Sequence, residues 1–162
     1  CEQAINAKLD DELPVPPMPE NKEAKNSVNA FCAWAKVTKP VWLATEEVVA
    51  SETYRIGGKI DALAIIECIP TLADFKTSKQ INEEYIIQLA GYHIMLSEMG
   101  FAPNQWMILR LPKDGKDYET LTINDPALME FYKKTFLHLR EAHKFFVFAE
   151  NKLKENKIIK TD

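Results

Sequence analysis

Cysteine is scarce in this sequence: Cys1, Cys32 and Cys68 are widely spaced, odd in number and outside any CxxC pair. Such a set excludes a disulfide framework and a cysteine-based zinc site, and reduced thiols are expected. No apolar run approaches the roughly 20 residues that cross a bilayer, and Cys1-Glu2-Gln3-Ala4-Ile5 lacks the basic and apolar regions of a signal peptide. An intracellular, cytoplasmic protein with no membrane partner is the expectation. No histidine precedes His93, and no repeat or low-complexity segment interrupts the chain. Excess positive charge is missing too. A net charge of −4 does not suit a protein that coats nucleic acid by bulk electrostatics, so any contact with phosphate must be local. Local candidates are Lys76 with Lys79, Lys113 with Lys116, and the 152–162 tail with Lys152, Lys154, Lys157 and Lys160. The tail reads more simply as a solvated, frayed end.

What is present fits one globular domain over residues 1–162, with 46% hydrophobic and 27% charged residues to build and solvate a core. The first dozen residues read as the tail of a helix that begins upstream, which implies an N-terminal truncation. Pro14-Val15-Pro16-Pro17-Met18-Pro19 can form neither helix nor central strand and reads as an extended connector. Glu20 or Asn21 can then cap a helix to about residue 37, with Val28, Phe31, Cys32 and Ala35 on one face and Trp34 widening it. β-Branched and aromatic residues predict antiparallel strands over 41–49 and 53–66, separated at Ser51-Glu52, and a third over 72–76 after a turn at Pro70. Ile81, Tyr85, Gln88, Tyr92, Met95 and Met99 recur at helical spacing and predict an amphipathic helix over 82–99, ended by Gly100 and packed on the sheet. Strands over 105–111 and 118–123 read as a hairpin around Pro112-Lys113-Asp114-Gly115-Lys116. A long helix then starts at Asn124 or Asp125 with Pro126 and carries Leu128, Phe131, Phe136, Leu139 and Phe146. This order predicts an α/β (α+β) fold, a mixed central β-sheet flanked by helices.

Two strands carry acidic residues where strand chemistry disfavours them. Even positions from Tyr54 to Ala64 are apolar or small, which puts Arg55, Lys59 and Asp61 on the other face with Asp61 mid-strand. A carboxylate there needs a partner: a cation, or else Arg55 or Lys59 across an exposed face. In Leu72-Ala73-Asp74-Phe75-Lys76, Asp74 and Lys76 share a face about 7 Å apart. Two carboxylates on neighbouring strands can hold a hard divalent cation, and a lysine beside it can orient a water and offset charge on a phosphorane-like transition state. Gln88 sits in the apolar stripe of the following helix with Tyr92 one turn on, so both would face the sheet. Their polar groups need partners, which a phosphate, a metal-bound water or simply the local backbone could supply.

In order and spacing, Gly58-Lys59-Ile60-Asp61, Asp74-Phe75-Lys76-Thr77-Ser78-Lys79 and Gln88-Leu89-Ala90-Gly91-Tyr92 resemble three successive motifs of the PD-(D/E)xK nuclease superfamily, in its RecB-like exonuclease branch. The resemblance is strong over about 41–99 and elsewhere rests on element order. It implies a restriction-endonuclease-like fold and hydrolysis of DNA phosphodiesters with one or two Mg2+ or Mn2+ ions. Asp61 and Asp74 would be metal ligands, with the Phe75 carbonyl as a further one. Lys76 would position the nucleophilic water, and Gln88 with Tyr92 would be the motif of this branch. Glu46, or Glu47 in its place, sits where relatives carry an acidic residue on the preceding strand. The implied substrate is DNA with a free end or a single strand, and an exonuclease of recombination, repair or phage replication is favoured over an endonuclease. No proline precedes Asp61, as is common in this branch. The family usually adds a histidine from an N-terminal helix; if the chain is truncated, that ligand would lie upstream of Cys1, and this stretch alone would bind metal weakly or be inactive. His93, His138 and His143 read as surface or locally bonded residues rather than ligands. The iron-sulfur cluster of some relatives needs four cysteines, so none is expected here. The alternative is a catalytically inactive nuclease-fold module that binds nucleic acid or protein. Trp42 and Trp106 could stack on bases, although packing is the simpler role for each.

Overall fold

The computed structural model describes residues 17–158, with side chains through residue 155. The expected upstream helix tail, Cys1 and the first half of the proline connector lie outside the described residues. Helix α1 (Lys22–Thr38) starts where the Asn21 side chain accepts hydrogen bonds from the backbone N–H of Glu23 and Ala24. It ends at Lys39, which turns left-handed ahead of Pro40. Its buried face is Ser27, Ala30, Phe31 and Trp34, turned by about one position from the expected stripe, so that Cys32 is exposed.

Four strands follow: β1 (Val41–Thr45), β2 (Val48–Ser51), β3 (Ile56–Lys59) and β4 (Ala62–Ile66). The sequence predicted two long strands here, and the structure breaks each once. The register is nevertheless continuous, because Thr45 pairs with Ala62 and Val48 with Lys59. Through the break, the Glu46 N–H donates to the Asp61 carbonyl and the Ile60 N–H to the Glu47 carbonyl, both at 3.0 Å. Glu46 has φ 52, a left-handed residue that bends the ladder. The faces change over at this bend: Ile56 and Ile60 pack on one side of the sheet, whereas Ala62, Ala64 and Ile66 pack on the other. Strict alternation along 54–66 therefore fails, and Asp61 occupies the bend rather than mid-strand.

Strand β5 (Ile69–Lys76) begins earlier than expected. The turn lies at Glu67-Cys68, whose φ values of 51 and 67 mark a two-residue hairpin, and Pro70 is already paired opposite Ile65. Helix α2 (Glu83–Glu98) crosses to β6 (Gln105–Arg110), which runs parallel to β5. Strand β7 (Glu119–Ile123) returns antiparallel as the expected hairpin, and helix α3 (Pro126–Ile158) completes the described chain. The five-stranded sheet has the order β1-β4-β5-β6-β7, with β2–β3 forming a separate two-stranded ladder beyond the bend.

Side-chain alternation builds a core on each face of the sheet. Leu63, Leu72, Trp106 and Ile108 meet α2, while Ala62, Ala73, Met107 and Leu109 meet Phe31 and Trp34 of α1. Helix α2 lies between the sheet and α3 and is buried well beyond its expected stripe, from Leu89 to Ala90 and Gly91 and on through His93 to Leu96. Helix α3 packs through Met129, Tyr132 and Phe136. Of the apolar residues named on it from sequence, Leu128, Phe131, Leu139 and Phe146 are exposed and Phe136 is packed. Most side chains after Arg140, whose guanidinium lies over the Tyr54 ring, are exposed as well. The sequence shows an apolar face but not how far the neighbouring element extends along it. The expected frayed tail is helical through Ile158, and Lys152 and Lys154 pair with Glu155 and Glu150 on its surface. No helix among the described residues is long and apolar enough to cross a membrane.

Candidate active site

The β4–β5 hairpin pairs Ala62 with Ala73, and Asp61 and Asp74 are the residues next to that pair, close enough for the charge of Asp61 to act on Asp74. Asp61 Oδ2 accepts the Phe75 backbone N–H at 2.7 Å. Because a strand residue directs its N–H and C=O to the same side, the Phe75 carbonyl faces the same way, past the end of β4.

Asp74 is 2% exposed. Burial pushes its carboxyl up to about 6; the Lys76 ammonium opposes that shift and the charge of Asp61 adds to it. Lys76 Nζ lies 2.7 Å from Asp74 Oδ2, but no hydrogen bond of normal direction reaches that buried oxygen. The ammonium instead donates to Gln88 Oε1 at 3.0 Å and sits 4.8 Å from the centre of the Tyr85 ring. Gln88 Nε2 in turn donates to the Tyr92 hydroxyl at 2.9 Å. Tyr85, Gln88 and Tyr92 occupy successive turns of α2 on the side facing β5, so one helix orients the lysine. Tyr92 fits there because β3 passes it at Gly58, where a Cβ would come within 2.7 Å of the ring.

The five residues Asp61, Asp74, Lys76, Gln88 and Tyr92 thus form one connected cluster around the start of the β4–β5 hairpin. The Glu46 carboxylate pairs with Lys59 at 2.9 Å, and Glu47 is exposed. His93 is not a surface residue. It is buried, its Nδ1 accepts the Trp106 indole N–H at 3.0 Å, and burial lowers its pKa to about 4. His138 and His143 are exposed on α3. Trp106 is wholly buried and leaves no face for a base, while Trp42 stacks on Phe31.

No family model and no curated protein matches this sequence. Solved structures do. A candidate exonuclease from Eubacterium rectale superposes with a TM-score of 0.51 at 17% identity, over 88% of this chain and 59% of that one. The chain thus spans less than two thirds of that protein. An alkaline exonuclease from Laribacter hongkongensis gives 0.48 at 16% identity, and the same enzyme in complex with dAMP 0.44 at 18%, each over 93% of this chain and 83% of that one. At such identities the likeness is one of fold. The fold is that of the Eubacterium rectale candidate exonuclease.

The donor set can be tested against a hard cation. Among the described residues no three or more His, Cys, Asp or Glu side chains gather to hold a metal ion. Two carboxylates with a backbone carbonyl still suit Mg2+, which takes one or two carboxylates and fills its shell with water and phosphate oxygens. The buried Asp74 Oδ2, without a directed donor, and the mutual repulsion of Asp61 and Asp74 are both relieved by a cation between them. The residues fit. Sequence reasoning missed two contributors to this cluster, Tyr85 beneath the ammonium and Gly58 beside Tyr92. Tyr85 was legible as the residue three before Gln88; the approach of Gly58 depends on how β3 crosses α2.

Proposed function

We propose that this chain is a metal-dependent deoxyribonuclease. The observation that carries the reading is the joining of Asp74, Lys76, Gln88 and Tyr92 in one bonded series, with Asp61 held across the hairpin on the Phe75 N–H. Asp61, Asp74 and the Phe75 carbonyl would hold one or two Mg2+ or Mn2+ ions, which supply an acidified water and neutralise phosphate charge. Lys76 aligns that water for in-line attack on the phosphodiester and offsets charge on the transition state. Gln88 and Tyr92 keep the ammonium pointed at the reacting centre. Buried and charged, Asp74 gains most from a cation. The likeness to exonuclease folds supports DNA with a free end or a single strand as substrate, in recombination, repair or phage replication, and an intracellular setting.

End-labelled single- and double-stranded DNA, incubated with Mg2+, Mn2+ or EDTA, tests this directly. Cleavage is expected only with metal, and Lys76→Ala should lower it by about 10²–10³-fold or more while sparing DNA binding and the heat of Mn2+ binding. Asp74→Ala should abolish that heat. Full activity in Lys76→Ala rejects the role given to the lysine. Mn2+ and DNA binding without cleavage of any substrate would leave the chain a binding module on a nuclease fold.

A further inference from the structure

Two basic patches more than thirty residues apart in sequence converge at the rim of the sheet. Strands β5 and β6 are parallel and end together at Lys76 and Arg110, which are register partners on neighbouring strands about 4.8 Å apart. Beyond these ends opens a cavity of about 510 Å³ that Lys79, Arg110, Lys113 and Lys116 line together with Thr77, Ser78 and Pro112. A crevice outside the carboxyl ends of parallel strands is where open α/β sheets take ligands.

The charge of this cavity runs against that of the chain. Four cations face it, against the carboxylates of Glu23 and Asp114, in a chain of net charge −4. Asp114 is already held by Lys116 at 2.9 Å, and Arg110 by Glu119 at 2.7 Å. Lys79 and Lys113 carry no ion pair among the described residues. The Lys113 backbone is fixed, since its carbonyl accepts the Asn26 amide at 2.8 Å and so ties the loop to α1. Arg110 links the cavity to the cluster described above, because it borders both the cavity and Lys76. Oxyanions suit the cavity better than any apolar ligand: two uncompensated ammonium groups and a guanidinium converge on a space open to solvent.

We infer that this cavity is a backbone-phosphate subsite, which grips the substrate strand just beyond the bond cut at Asp61, Asp74 and Lys76. The inference rests on the nuclease reading. A strand leaving the Asp74–Lys76 face would cross the sheet rim at Arg110 and set its next phosphates against Lys79 and Lys113. An acidic chain would in this way bind a polyanion through one local contact set rather than through its overall field.

The test is binding of a fluorescein-labelled single-stranded oligonucleotide in Ca2+ or EDTA, by anisotropy over a salt series, for the unaltered chain and for Lys79→Gln/Lys113→Gln. Loss of two phosphate contacts should weaken binding about tenfold or more at low salt and flatten the slope of log K against log salt by about 1.4. The heat of Mn2+ binding should be unchanged, which also reports that the variant is folded. The loss should be equal for oligonucleotides with a 5′-phosphate and with a 5′-hydroxyl; a loss confined to phosphorylated ends would overturn the backbone assignment in favour of end recognition. Equal affinity and slope in the double variant, while the unaltered chain binds and cuts DNA, would sink the subsite and leave the nuclease standing. If the unaltered chain neither binds nor cuts any nucleic acid, both fall together.

Discussion

At pH 7 the folded chain keeps a charged carboxylate at Asp74 in surroundings that disfavour the charge. Raising a carboxyl from 3.8 to about 6 corresponds to about 3 kcal/mol between folded and unfolded states. The Lys76 ammonium recovers only part of the desolvation, because Asp61 faces the same point. Such a residue costs stability in the metal-free chain, and under the proposed function a bound cation offsets that cost. Asp74→Asn should therefore raise the stability of the metal-free chain by about 1–2 kcal/mol, or roughly 3–6 °C in Tm, while Mn2+ no longer adds stability. Thermal unfolding with and without Mn2+ measures both effects. A variant less stable than the parent without metal would show that the carboxylate is structural.

Among the elements, the bent hairpin from β1 to β4 does most to place the site. Its bend leaves Asp61 free of the ladder on its side-chain face, and its distal half carries Gly58 against α2. A Cβ at Gly58 meets Tyr92 at 2.7 Å and Met95 at 3.5 Å. Gly58→Ala should push the Tyr92 ring away from Gln88, loosen the lysine and lower kcat about tenfold or more, with a stability cost of about 1–3 kcal/mol. Tyr92→Phe removes the hydroxyl without the clash, so kinetics of the two variants separate lost bonding from displaced packing. If Gly58→Ala keeps the parent kcat, the ring position is irrelevant to turnover. The order of elements, the hairpins and the three helices were legible from apolar spacing and turn residues. The bend at Glu46 and Asp61 was not, because a left-handed Glu46 is imposed by the ladder and leaves no mark in composition.

Across the whole molecule, two buried titrating groups work against each other as pH falls. The folded pKa of Asp74 is raised, so its ionised form destabilises the fold above about 6, and this cost is removed as pH drops towards 4. The folded pKa of His93 is lowered to about 4, so the fold holds it neutral while the unfolded chain protonates from 6.5 downwards. Stability from His93 is thus full above 6.5 and lost as pH falls towards 4. Each effect is about 3 kcal/mol, and over pH 4–6.5 they largely cancel. In Asp74→Asn only the His93 slope remains, so urea unfolding of that variant should show stability climbing by about 2–3 kcal/mol from pH 4 to 6.5, against a flatter profile in the parent. Matching profiles would remove Asp74 from the balance.

The sequence by itself determined the fold class and brought Asp61, Asp74, Lys76, Gln88 and Tyr92 to attention. Strand period, helix period and motif spacing are local properties that a linear pattern carries. Tertiary structure decided the rest. His93 became a core residue because α2 is covered on a second side by α3. Asp61 and Asp74 come near each other because a two-residue turn at Glu67-Cys68 sets the register that pairs Ala62 with Ala73. Lys79 and Lys113 share one cavity only because β5 and β6 run parallel and stop at the same level. Burial and approach between distant segments depend on how elements stack, and no pattern of one residue type along the chain encodes that.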